Sequence, residues 1–456
     1  MPKIVILIFT AWAALAEVTS IAHAQTLSLD RYVQEGLASN LALRQQNYSY
    51  QKSEQALREA RGLFFPSLNL GARYSDLSGN VLDFGRLVDP VYATLNELLQ
   101  QEAFPVGLNL RLPLQREAKI TITQPIFNPA ILYNYRVQSH LREAEAAHLQ
   151  SFQRQLVADI KTAYLNYAKT VRVVELYQKT IPLLVENLRV NESLFANQKI
   201  TEDATFRARA ELSEVQQDLA EAEQQSDAAA QYFNFLLNRR LDMAIALVPD
   251  SMLAVQTAFD RERGEAEARS RREELEQLRA GIQAAEAGVK ATESRFLPTL
   301  GLGIDYGFQG NTYDFSSDQD FLIVSLVAQW NLFNGFQDAA RRQQAKLEAA
   351  RLQTQEAELK NQIGLQVRTA YDDMMVAQTA IATAHDRLAS AEKSFELIAR
   401  KYQLGSAAQI EYLDARTTLT NAGINQILTT YDYYIKYAHF ERVVGLYPLQ
   451  DLSDSK

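Results

Sequence analysis

Two stretches of this chain are near copies of one another: LFFPSLNLGARYS, from Leu63 to Ser75, and RFLPTLGLGIDYG, from Arg295 to Gly307. A second matched pair follows, QPIFNPA from Gln124 to Ala130 and WNLFNGF from Trp330 to Phe336. Beyond it the spacing holds steady. Phe127 and Phe333 lie 206 residues apart, Tyr164 and Tyr371 lie 207 apart, and so do Phe195 and Tyr402. Helices that merely share composition drift out of step, so a constant offset marks an internal duplication. The fold is therefore built from one unit used twice, each copy reading helix, strand, strand, helix, helix. The expected organisation is residues 1–24 as an export signal, 25–240 as the first copy, 241–269 as a connector carrying Pro249 and Gly264, 270–447 as the second copy and 448–456 as a short tail.

The strands decide the compartment. Leu300, Leu302, Ile304, Tyr306 and Phe308 alternate with Gly301, Gly303, Asp305 and Gly307, a strict period of two. Leu68, Leu70, Ala72 and Tyr74 alternate with Asn69, Gly71 and Arg73, and Ile120 and Ile122 alternate with Thr121 and Thr123. The stretch FLIVSLVAQWNLF is apolar on both faces over part of its length. Four such strands in water would form a small sheet with one buried face. Here their neighbours are long amphipathic helices rather than a second sheet, which leaves the edges open. In a bilayer only a closed barrel satisfies every backbone group, so four strands per chain must be pooled between chains. Two chains would supply eight strands and a filled interior, three would supply twelve and leave a lumen. Residues 80–117, between the strands of the first copy, form an insertion that the second copy lacks, with DPVYATLNELLQQE reading as a short helix.

Most of the length is helical. From Pro129 to about Asn197, and from Gly335 to about Leu404, Pro182 is the one interruption in the pattern. Stretches of this kind reach roughly 100 Å at 1.5 Å per residue. Met374, Ile381, Leu388, Phe395 and Tyr402 recur every seventh residue, the spacing of a coiled-coil seam. In the first copy Leu149, Phe152, Leu156, Ile160, Tyr164, Tyr167, Val171 and Val174 share a face less regularly.

Lys3, the apolar run Ile4 to Leu15 and the Ala22-His23-Ala24 ending read as a secretory signal. The chain contains no cysteine, which excludes disulfides, thiolate chemistry and a lipidated N-terminal cysteine. No later stretch approaches the roughly 18 apolar residues of a membrane helix, so a membrane is crossed with strands if at all. Net charge is −9, with no basic patch interleaved with aromatics, which argues against nucleic acid as a partner. No phosphate loop, nucleophile elbow or zinc spacing is present; His140 and His148 read as surface histidines. No enzyme activity and no cofactor are expected.

After each long helix the chain reverses into a shorter one, through FANQKITEDA in the first copy and YQLGSAAQI in the second. Gly405 suits the left-handed position that ends a helix, and Ser406 with Gln409 fits a capping box for the next one. Glu411 and Asp414 then lie one to two turns inside that helix, a like-charge pair that works against it. The duplication places Ala204 opposite Glu411 and Arg207 opposite Asp414, so the acid pair is confined to one copy, whereas Arg209 and Arg416 match. If three chains converged at these tips, the two acids would form stacked rings of carboxylate, an arrangement that favours cations in a pore.

Taken in order, SLDRYVQEGLASNLALRQQ, FFPSLNLGARY, QPIFN, FLPTLGLGIDYG and KYQLGSAAQIEYLDARTTLTNA resemble the TolC-type outer-membrane efflux proteins over nearly all of the mature chain. The resemblance implies a mixed α and β fold: a homotrimer whose twelve-stranded β-barrel, four strands per chain, sits in outer-membrane lipid and continues as an α-helical coiled-coil barrel in the periplasm. It implies a periplasmic adaptor and an inner-membrane transporter as partners. It makes Glu411 and Asp414 the periplasmic constriction, with Tyr402, Gly405, Ser406 and Gln409 supporting the gate hairpin. Gln198, Lys199, Lys401 and Gly405 become the tips that meet the adaptor. The sequence departs from the family at Ala204 and Ala407, which replace polar residues of the closed-state latch, and at Gln198, which stands where the second turn has Gly405. The expected function is an outer-membrane exit duct of a tripartite efflux or type I secretion system, without a lipid anchor. The competing readings are a pump-independent pore and a coiled-coil envelope protein.

Overall fold

The computed structural model describes residues 29–75, 82–107, 111–112, 116–248, 260–310 and 315–449. The expected signal at 1–24, much of the 241–269 connector and most of the 448–456 tail lie outside them, as does part of the 80–117 insertion. In chain order the elements are α1 (29–39), α2 (Leu41–Gly62), β1 (Ser67–Tyr74), β2 (Leu82–Asp83), α3 (Phe84–Leu99), β3 (Arg111–Leu112), β4 (Arg116–Phe127), α4 (Pro129–Ala196) and α5 (Glu202–Leu236). After them come α6 (Arg261–Arg271), α7 (Glu273–Glu293), β5 (Thr299–Gly310), β6 (Asp320–Gln329), α8 (Gln337–Gln403) and α9 (Gln409–Val444). The chain is mostly helical with a small sheet, and it divides into two compact units, residues 52–143 with 280–353, and 1–51 with 144–279 and 354–456.

The first of these units holds the sheet. Its order is β1-β4-β5-β6, antiparallel throughout, so β1 and β6 are edges. The register sorts the side chains by chemistry. Leu68, Ile122, Ile304 and Val324 stand in one row across the four strands, and Leu70, Ile120, Tyr306 and Leu322 in the next row of the same face. That face is bare: Leu70 is 80% exposed, Leu68 70% and Leu322 65%. The opposite face carries Ser67, Asn69, Arg73, Glu117, Lys119, Thr121, Thr123, Asp305 and Ser325. There Asp305 accepts from Thr121 Oγ1 at 2.5 Å and from Lys119 Nζ at 3.3 Å, and Glu117 pairs with Lys119 at 3.2 Å and Arg73 at 2.9 Å. Ile323 and Val327 interrupt the polar face on β6, as the doubly apolar stretch anticipated.

Two cores organise the other unit. In one, Tyr32 and Val33 of α1 pack on Leu156, Ile160 and Tyr164 of α4 and on Phe233 of α5. In the other, Ala268 of α6 packs with Ile363, Val367 and Met374 of α8 and with Phe440 and Val444 of α9. The Tyr164 and Phe233 rings meet edge-on, 5.8 Å apart at 61°; Tyr371 and Phe440 meet at 6.0 Å and 61°. Gly36 faces Ile160 and Leu237, while Gly264 faces Val367 and Val444. At Gly36 a Cβ would sit 2.3 Å from the Ile160 Cδ1 atom, so a larger residue there would require the Ile160 side chain to turn aside. The stretch read as a connector thus contains a packed helix, α6, with its own place in a core.

The long helices match the expected lengths, and α4 continues through Pro182. Between the seam residues of α8, Ala377, Ala384 and Ala391 are buried as well, so large and small side chains alternate along it. The irregular face of α4 has a physical cause. Gln153, Arg154, Leu156, Val157, Ala158, Ile160, Ala163, Tyr164 and Leu165 are all buried, so this segment is covered on most of its circumference rather than along one stripe.

Buried charges fasten the two cores. Arg154 of α4 grips Glu273, its Nε at 2.9 Å from both carboxylate oxygens and its Nη2 on Oε1, while Nη1 donates to the Tyr447 carbonyl at 2.8 Å. Both side chains are at most 10% exposed. Removing one partner leaves the other charge buried and uncompensated, at a cost of about 3–5 kcal/mol. Arg154→Met is therefore expected to lower the guanidinium unfolding stability of the detergent-extracted protein by about that amount, and Arg154→Met with Glu273→Met to recover most of it. Equal stability of the single and double variants would show that the pair does not act as a unit.

Candidate functional site

The two helical reversals are built alike. At the end of α8, Gly405 takes a left-handed φ of 72°, its N–H donates to the Tyr402 carbonyl (3.0 Å), and the Ser406 N–H donates to the Lys401 carbonyl (2.9 Å). At the end of α4, Gln198 takes φ 55°, its N–H donates to the Phe195 carbonyl (2.8 Å), and the Lys199 N–H donates to the Leu194 carbonyl (2.9 Å). Both are the paired 6→1 and 5→2 closure of a helix C-terminus. Gln198 makes the turn without glycine, at the steric cost of a β-carbon in the left-handed region. Gln198, Lys199, Lys401 and Gly405 are all exposed.

The expected capping box is displaced. Helix α9 begins at Gln409, its N-cap is Ala408, and Glu411 is the third residue. Ser406 is not the cap, because its hydroxyl turns back to the Lys401 carbonyl at 3.1 Å and helps close α8 instead. Gln409 is not the returning side chain either; its Nε2 donates to the Ala204 carbonyl at 2.5 Å and ties α9 to α5. Glu411 takes that role, its Oε1 lying 3.5 Å from the Ala408 N–H. Glu411 thus stands in the first turn, where the helix end favours an acid, and Asp414 stands beyond it.

Glu411 and Asp414 are both exposed, and among the described residues neither makes an ion pair. At the other reversal, Arg207 of α5 is paired with Asp203 at 3.4 Å. The acids of the second hairpin are therefore left as uncompensated negative charge on one side of α9.

Behind them the helices are pinned by hydrogen bonds between side chains. The Tyr402 hydroxyl donates to Asn191 Oδ1 at 2.7 Å, joining α8 to α4, and Thr417 Oγ1 donates to Glu211 Oε1 at 3.0 Å, joining α9 to α5. Tyr402 stacks on Tyr412 with centroids 5.0 Å apart, and Tyr412 leans on Phe395 at 5.4 Å. Burial pushes the pKa of both tyrosine hydroxyls up, so they stay neutral donors. Tyr402 keeps its expected place between helices; its partner Asn191 was missed, as was Arg416, which is 4% exposed. The available signal was polar residues on an apolar stripe: Thr180, Leu184, Asn187 and Asn191 follow helical spacing and are all buried.

Residues 266–446 match the family model described as outer membrane efflux protein. The match covers the second half of the chain, including the helical reversal at Gly405. The outer membrane protein TolC of Escherichia coli strain K12 is 21% identical over 445 residues, covering 94% of this chain and 84% of that protein. Among solved structures, the CmeC outer membrane channel of Campylobacter jejuni aligns with a TM-score of 0.76 at 14% identity, covering 92% of this chain and 85% of that one. The outer membrane protein VceC of Vibrio cholerae aligns at 0.73 and 16% identity, covering 91% and 96%. The chain is thus similar over most of its length to outer-membrane transport channels, which are not enzymes. Among its described residues no helix is long and apolar enough to cross a membrane.

Tyr402→Phe removes the one recorded bond of this ring to Asn191 and leaves a buried amide oxygen short of a donor. A loss of about 1–3 kcal/mol in local stability is expected, read as faster amide hydrogen exchange across residues 398–412. Unchanged exchange would remove Tyr402 from the pinning contacts.

Proposed function

We propose that this protein is an outer-membrane efflux protein, the exit duct of a tripartite efflux or type I secretion system. A homotrimer closes a twelve-stranded barrel in the outer membrane and a helical tunnel in the periplasm, and a periplasmic adaptor couples it to an inner-membrane transporter. The observation that carries the reading is the sheet. Its two edges, β1 and β6, have no partner strand among the described residues, one face is apolar and bare, and the other is polar. An outer-membrane barrel needs lipid-facing and lumen-facing residues to alternate in this way, and it needs closed edges. Four strands from each of three chains meet both needs and leave a lumen.

The duplication belongs to the same proposal. The two Tyr–Phe ring pairs and the two glycine contacts recur at matched positions of the two cores, which supports one ancestral hairpin used twice. On this reading α6 is the counterpart of α1 and the second copy starts near Asp260 rather than at residue 270.

Glu411 and Asp414 form the cation-selective constriction, supported by Tyr402, Gly405, Ser406 and Gln409, and the exposed tips Gln198, Lys199, Lys401 and Gly405 meet the adaptor. Their exposure without an ion pair supports this assignment. Ala204 and Ala407 cannot supply the family's latch, and the contacts of Tyr402, Gln409 and Thr417 take its place.

In planar-bilayer recordings, Glu411→Ala with Asp414→Ala is expected to reduce cation preference several-fold and to weaken block by multivalent cations. Unchanged selectivity and block would return both acids to ordinary surface positions. Cross-linking of the detergent-extracted protein is expected to give a three-chain species; a stable monomer would end the shared-barrel reading.

A further inference from the structure

Arg416 occupies the side of α9 turned away from the exposed Glu411 and Asp414 and is itself 4% exposed. A guanidinium has five N–H donors. Here one of them, on Nη2, reaches the Thr180 carbonyl at a long 3.4 Å, and Nε has no partner. The Phe395 ring lies 5.5 Å from the guanidinium carbon. Among the described residues no carboxylate pairs with it. Glu211, whose charge favours the cation, accepts from Thr417 instead. Burial accordingly pulls the pKa of Arg416 below the ordinary arginine value, against the smaller pull of Tyr412 and Glu211.

A cation stripped of water and given so little in return raises the free energy of the packed arrangement. Near the same helix ends three contacts hold the helices together: Tyr402 to Asn191, Gln409 to the Ala204 carbonyl, and Thr417 to Glu211. Each of them joins α8 or α9 to α4 or α5, and so does the contact of Arg416 with Thr180. Parting the two helix pairs would break the first three and let water reach the guanidinium.

We infer that Arg416 is a positioning residue that biases the helix tips toward opening, a buried cation that works against the three pins. The balance is the useful property. Tips held only by pins would stay shut against a docking partner, and tips with an unopposed buried charge would leak. With both, the differential contact free energy of a partner is enough to shift the population. The matched residue in the first copy, Arg209, is exposed and paired with Glu192 at 3.1 Å, so the bias resides in the second hairpin.

This inference rests on the duct reading, and single-channel recording tests the two separately. Failure of the wild-type protein to form any channel would sink the duct. Given channels, Arg416→Met keeps a long apolar stem against Phe395 and removes the charge. It is expected to lower the open probability at least about tenfold while leaving open-channel conductance and cation preference unchanged. Arg416→Lys, which keeps a charge in place, is expected to stay within about threefold of wild type. If the methionine variant does not assemble, Arg416→Gln gives the same comparison. An open probability that rises on removing the charge would make Arg416 a clamp, and an unchanged one would make it a passive filler; either result overturns the inference.

Discussion

A sheet edge that faces lipid must find a partner strand, because no water is at hand to satisfy its N–H and C=O groups. Strands β1 and β6 leave two edges without a partner strand among the described residues, and in the proposed outer-membrane setting that constraint governs the rest. Leu68 and Leu70 on one edge strand, and Leu322, Val324 and Leu326 on the other, add an apolar surface that water would not tolerate in a stable monomer. In an aqueous compartment these features would template aggregation. In a bilayer they specify the environment of one face and the need for neighbours at both ends of the sheet. The charged ladder from Arg73 through Glu117 and Lys119 to Asp305 lies on the other face, where water can reach it.

Much of this was legible in the sequence because membrane strands and long helices are governed by periodicity. The alternation around Ile304 assigned residues to faces correctly, and the seam from Met374 to Tyr402 marked the buried side of α8. Legibility failed where one residue had two possible partners. Ser406 has the chemistry of an N-cap, but the carbonyls left open at the end of α8 are nearer and take its hydroxyl. The N-cap position then falls to Ala408, which a propensity rule would not choose. In segment 153–165 of α4 the face of Leu156, Ile160 and Tyr164 was legible, but the burial of Arg154, Val157 and Leu165 was not, since a helix covered on most sides has more than one buried stripe.

Read as two copies of one unit, as proposed above, the two cores show what such copies keep and what they release. Kept are the features that set how closely helices approach: an edge-on Tyr–Phe pair and a glycine opposite a branched side chain. A change in either would move backbones, and each core punishes it separately. Released are the turns. Gln198 has taken the left-handed position that glycine fills in the other copy, and the closing hydrogen bonds survive because they involve backbone alone. The side chains beyond the turns are free to diverge, and there the two copies have come to differ in charge.

That divergence is coupled through the geometry of a single helix. Glu411, Asp414 and Arg416 lie within two turns of α9, so its rotation about its own axis decides which of them meets water. Exposing both acids on one side turns Arg416 inward, and the long bond to Thr180 and the Phe395 ring are what that interior offers it. A rotation that relieved the arginine would begin to bury the acids beside their neighbours. Neither charge set can therefore be optimised alone. The tension persists because the contacts of Tyr402, Gln409 and Thr417 hold the helix at this angle from outside the conflict.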